Sequence, residues 1–82
     1  MDDARRARLE RLRWHCRRGM LELDLRLGRF LDRHFAGLAA DQLEAFEELL
    51  GYEDTDLLEL LTRRQECHEP RLAALIELMR AE

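Results

Sequence analysis

An all-α fold, a compact five-helix bundle forming a single domain over residues 1–82, is predicted by three observations. The chain has 82 residues, which bounds it to one domain. Its only β-branched residues are Thr55, Thr62 and Ile76, so the residues that favour strands are nearly absent. Leu, Arg, Glu and Ala dominate instead, and all four rank high for helix. A domain this small buries a modest share of its surface. An internal catalytic cavity would take volume from a core with little to spare, so a surface that binds a larger partner suits it better.

The first helix is expected over Ala4–Arg17, with Leu9, Leu12 and Cys16 as its apolar positions and Trp14 offset to one side. Asp2 and Asp3 at its start and Arg17 and Arg18 at its end complement the helix dipole. Gly19 follows as the left-handed stop. The second helix is expected over Met20–Phe35. Leu21, Leu23, Leu25 and Leu27 alternate with charged residues, which taken alone reads as a strand. Met20, Leu23, Leu27, Phe30, Leu31 and His34 also follow helical spacing, and the segment is too long for an ordinary strand. As a helix it carries Leu21 and Leu25 on a second face that another helix or a partner must cover.

Gly37 breaks the chain before a third helix over Ala40–Leu50, which buries Leu43, Phe46, Leu49 and Leu50 and ends at Gly51. Asp54 reads as the N-cap of a fourth helix. That helix carries Leu57, Leu58, Leu60 and Leu61 and ends near Arg64. Pro70 suits the first turn of a fifth, where Leu72, Leu75, Ile76 and Met79 give one apolar stripe.

Charge is unevenly spread. Residues 1–35 hold ten Arg against six acids, a net of +4, and residues 36–82 hold four Arg against twelve acids, a net of −8. This asymmetry points to a charged partner surface or to pairing between the halves, with solvated helix faces as the alternative. The absence of Lys is what a GC-rich genome produces. Cys16 and Cys67 make no disulfide framework, no apolar run spans a bilayer, and the acids of the N-terminus are foreign to a transit peptide. A bacterial cytoplasmic protein with no membrane insertion is expected.

No enzyme signature is present. There is no Ser, and the four glycines are isolated rather than grouped in a phosphate loop. No metal site is expected: His15-Cys16 and Cys67-His68 do not match the spacing of zinc ligand pairs, and adjacent helical residues point about 100° apart. The arginines of the first helix could neutralise phosphates. They surround that helix rather than forming a stripe, and aromatic residues for stacking are scarce, so nucleic acid is a lesser alternative. At the junction of the first two helices, Gly19 leaves bare backbone that a partner can approach closely. Arg18 and Glu22 flank it four residues apart. A glycine stop with a weak i, i+4 pair accounts for the same residues.

The stretch Trp14-His15-Cys16-Arg17-Arg18-Gly19-Met20-Leu21-Glu22-Leu23-Asp24 resembles the signature of the SdhE family of FAD assembly factors, to which a mitochondrial succinate dehydrogenase assembly factor is related. Arg18, Gly19 and Glu22 match that family's R-G-x-x-E motif. Leu49-Leu50-Gly51-Tyr52-Glu53-Asp54-Thr55-Asp56-Leu57 is similar to its segment between the third and fourth helices. The resemblance implies a five-helix bundle that binds the flavoprotein subunit of succinate dehydrogenase, and in some bacteria that of fumarate reductase. It implies a chaperone that promotes covalent attachment of FAD to a histidine of that subunit, with FAD belonging to the partner and no cofactor held firmly by this chain.

By that resemblance Arg18 and Glu22 make charged contacts with the flavoprotein and Gly19 allows close docking. Trp14, Arg17, Met20, Leu21 and Asp24 are neighbours in the interface. Ala39 stands where many relatives have a Ser cap, Thr55 where some have Pro, and the tail ending at Glu82 is short. The resemblance leaves one alternative of its own, an antitoxin-like regulator of a toxin–antitoxin pair. The free protein is expected to be a monomer, with a homodimer through the exposed leucines as the other possibility.

Overall fold

The computed structural model describes residues 3–81. The expectations for Asp2 and for the tail at Glu82 lie outside the described residues. Five α-helices follow one another: α1 Asp3–His15, α2 Leu21–His34, α3 Ala40–Leu50, α4 Asp54–Leu61 and α5 Pro70–Arg80. A 3₁₀ turn, Phe35–Gly37, closes α2. No strand occurs among the described residues, so helical spacing prevails over the leucine alternation in α2.

The core is entirely apolar. Among the described residues no polar or charged residue is fully buried. Leu23, Leu27, Phe30 and Leu31 place one face of α2 at the centre, and α2 packs against α1, α4 and α5. Phe30 stacks on Phe46 of α3 with ring centroids 5.5 Å apart, and on His34 at 4.9 Å. The leucines of α4 divide: Leu57, Leu60 and Leu61 are buried, and Leu58 is half-buried at the surface. The stripe Leu72, Leu75, Ile76 and Met79 of α5 is buried against α3 and α4, as its spacing predicts.

Helix α1 is held differently. Leu12 is its one buried residue, joined by Cys16 just beyond its end. Leu9 is half-buried against the core, and the remaining attachments are made by arginines. Arg5 donates to the carbonyl oxygens of Phe35 and Ala36 at 3.1 and 3.3 Å, Arg8 pairs with Glu47, and Arg13 pairs with Asp32 at 2.7 Å. The Arg8–Glu47 bridge joins the basic and acidic halves, so the charge asymmetry is partly internal pairing.

Several boundaries differ from expectation for identifiable reasons. α1 stops at His15, two residues before Arg17. The Arg17 amide bonds to the Trp14 carbonyl at 3.1 Å, which tightens the last turn. Gly19 is therefore not the stop of α1: it lies in the connection to α2, with φ +90°. Met20 is the extended N-cap of α2, and Phe35 belongs to the 3₁₀ turn. Gly51 ends α3 with φ −80°, in right-handed backbone. The side chain of Ala39 cannot cap α3, but its amide donates to Gln42 Oε1 at 2.8 Å, which retains the reciprocal half of a capping box. Asp54 is not the N-cap of α4. Glu53 holds that position and Asp54 is the first helical residue. At α5, the Glu69 carboxylate caps by accepting from the amides of Arg71 and Leu72 at 3.3 and 3.1 Å.

Helix α4 ends at Leu61, short of Arg64, in a Schellman turn. The Arg64 amide reaches the Glu59 carbonyl at 2.9 Å, the Arg63 amide reaches that of Leu60 at 3.5 Å, and Arg63 takes φ +66°. Glycine is the usual residue at this left-handed position. The Arg63 side chain is mostly exposed, and its nearest acid, Glu77, is 3.9 Å away, a separation worth little at a surface. Arg63→Gly is expected to raise stability by about 0.5–1 kcal/mol, relief of left-handed strain outweighing the added freedom of the unfolded chain. Thermal unfolding of the two proteins checks this, and a lower midpoint for the variant would contradict it.

Candidate docking site

The junction between α1 and α2 is built from its main chain outward. Asp24, in the first turn of α2, turns its carboxylate back over the connection: Oδ1 accepts the Arg18 amide at 2.9 Å and Oδ2 the Gly19 amide at 3.2 Å. This satisfies two amides that have no helical partner. It also places a negative charge near the start of α2, where the dipole favours it. Gly19 then turns the chain with φ +90°, and a Cβ built on it would meet nothing within 4 Å. The bare backbone of Gly19 faces open space.

The Arg18 side chain points inward. Its Nε and the Asp54 carboxylate form an ion pair. Nη1 donates to the Leu50 carbonyl at 2.7 Å and to that of His15 at 3.4 Å, and Nη2 donates to the Tyr52 carbonyl. Its side chain is 15% exposed. Glu22 pairs with Arg26, one turn on, at 3.4 Å. The i, i+4 pair anticipated between Arg18 and Glu22 is therefore replaced by two others.

The remaining residues of the junction surround this frame. Trp14 is 69% exposed, Leu21 74% and Leu25 47%, a large apolar display for so small a domain. On the wheel of α2, Leu21 and Leu25 lie opposite the buried Leu23, Leu27 and Phe30. Arg17 stacks its guanidinium over the Trp14 ring at 5.1 Å, and both residues are exposed. Met20 is half-buried against the core.

Beside Glu22 lies a cleft of about 150 Å³ lined by Met20, Thr55, Leu58, Glu59, Thr62 and Arg64. The α4 residues of this cleft escaped the sequence reading. Their signal was the surplus leucine, Leu58, in a helix that needed three. The junction thus gathers Trp14, Arg17, Gly19, Met20, Leu21 and Glu22 at the surface, with Arg18 and Asp24 behind them.

Cys16 lies under the junction. Burial pushes its thiol up from 9.0 to about 12, against the opposing pull of the Arg18 charge, so it is a protonated core residue and not a nucleophile. Among the described residues no group of three or more His, Cys, Asp and Glu gathers where it could hold a metal ion. No described helix is long and apolar enough to cross a membrane. Three of the α1 arginines, Arg5, Arg8 and Arg13, are engaged within the molecule.

Residues 10–82 match the protein family described as "Flavinator of succinate dehydrogenase". Proteins named "FAD assembly factor SdhE" are similar over most of the chain. That of Idiomarina loihiensis is 41% identical over 69 residues, covering 84% of this chain and 77% of its own length. That of Methylococcus capsulatus is 41% identical over 71 residues, covering 87% and 86%. That of Ralstonia nicotianae is 38% identical over 84 residues, covering 98% and 85%.

Proposed function

The chain belongs to the family of succinate dehydrogenase flavinators, and from this premise we propose that it docks on the flavoprotein subunit through the α1–α2 junction and promotes covalent attachment of FAD there. The observation that carries the site assignment is Gly19. It combines a left-handed backbone with nothing in front of it, between an inward-facing Arg18 and an outward-facing Glu22. A backbone presented in this way allows an approach that any side chain would prevent.

The bond-forming chemistry is assigned to the flavoprotein, whose own histidine takes the flavin. The role of this chain is to hold that subunit in the reactive arrangement, which lowers the barrier by orientation. FAD is assigned to the partner, whose own histidine is the group it bonds to. Glu22 supplies a carboxylate for a cationic group of the partner. Trp14, Met20 and Leu21 supply apolar contact, and Arg17 lies at the rim. The flavoprotein of fumarate reductase is a second substrate of the same surface. The chain acts as a monomer, because the exposed leucines of α2 are the ones a partner covers.

Titration of the purified flavoprotein subunit with this protein tests the site. Glu22→Ala, on an exposed helix position, is expected to leave the unfolding midpoint within a few degrees and to weaken binding about tenfold or more. Wild-type affinity in that variant would remove Glu22 from the interface.

A further inference from the structure

We propose that Arg18 is a positioning residue that acts through Asp54: the pair locks the Gly19–Glu22 segment to the turn between α3 and α4, so flavoprotein docking depends on Asp54 although Asp54 is not part of the motif. This rests on the reading of the junction as the docking site and deepens it.

The argument begins with donor bookkeeping. A guanidinium carries five N–H groups in a fixed plane. Four of those of Arg18 are directed at Asp54, Leu50, Tyr52 and His15. These acceptors belong to the end of α1, the end of α3, the turn after it and the start of α4. A cation at the end of α3 and an anion at the start of α4 each suit the local helix dipole. A side chain so engaged has little left to offer a partner.

The backbone of the same residue is held from the other side, by Asp24 of α2. Arg18 is therefore fastened at both ends, and Gly19 turns from a fixed point. The direction in which Met20, Leu21 and Glu22 leave the junction is set by that fastening. The arrangement joins two stretches of sequence more than thirty residues apart. The first supplies the guanidinium, and the second supplies Leu50, Tyr52 and Asp54 to receive it.

The test is a double-mutant cycle of Arg18→Ala and Asp54→Ala, with Asp54→Asn as the conservative variant that keeps an acceptor oxygen. Two quantities are read: the amide NMR signals of Gly19 to Glu22 in the free protein, and affinity for the purified flavoprotein subunit. Each alanine variant is expected to shift and broaden those amides and to weaken binding about tenfold. The double variant should bind no worse than the weaker single one, and Asp54→Asn should recover most of the affinity. Additive losses, or unmoved amides in Asp54→Ala with wild-type affinity, would overturn the proposal. If the wild-type protein fails to bind the flavoprotein, the docking reading falls. The amide signals then still decide whether Asp54 holds the segment, and unmoved amides there overturn the proposal as well.

Discussion

Gly19→Arg is expected to reduce covalent flavin attachment to the flavoprotein by more than about tenfold while the variant remains folded. Two physical effects separate here. Any side chain at φ +90° bears left-handed strain of about 1–2 kcal/mol, which most domains tolerate. A Cβ at this position meets nothing within 4 Å, so a long side chain leaves the fold freely and its bulk and charge enter the space the partner needs. Gly19→Ala carries the same backbone strain with little bulk and serves as the control. Attachment should fall far less in Gly19→Ala than in Gly19→Arg, as measured by flavin fluorescence retained by the subunit after denaturation. Equal losses would mean that the backbone conformation, and not the open approach, is what matters. No loss in either would remove Gly19 from the site.

Phe46→Ala is expected to produce the largest loss of stability. Phe46 is fully buried and stacks on Phe30 at the meeting of α2 and α3. Truncating a buried Phe costs about 3–5 kcal/mol, a large part of what a domain this small holds in reserve. A fall in the unfolding midpoint of upwards of about 15 °C is expected, by circular dichroism or calorimetry. A fall of only a few degrees would show that the two rings do not anchor the core. The contrast with Gly19→Arg is informative, because one variant loses the fold and the other loses the surface.

Local patterns made most of the fold legible. Each of the five helices announces itself by leucine spacing, and Pro70 and Gly37 mark real boundaries. The alternation in α2 was resolved by length, and its surplus leucines, Leu21 and Leu25, are exposed as that reading requires. What sequence could not reveal was which distant group each charge meets. Arg18 lies four residues from Glu22, and helical spacing made that pair the natural expectation. Its carboxylate partner is Asp54, 36 residues away, and only the packing of α3 and α4 beside the junction brings it near.

The end of α1 was misplaced for a related reason. Arg17, Arg18 and Gly19 form a typical helix ending in isolation, but the Asp24 carboxylate claims the Arg18 and Gly19 amides, and the helix gives way earlier. The Schellman turn at Arg63 was hidden because an arginine occupies the position where glycine would have signalled it. The α1–α2 junction was legible as a stretch of chain, but which of its side chains turn inward, as Arg18 does, and which stay exposed, as Glu22 does, required the fold.

The central claim is that this chain makes the flavoprotein a better acceptor of its own flavin. The most direct measurement mixes purified apo-flavoprotein with FAD, with and without this protein, and follows covalent flavin by fluorescence of the denatured subunit. Faster and more complete attachment in its presence is expected, with the gain lost in Gly19→Arg. Identical attachment with and without the protein would contradict the account.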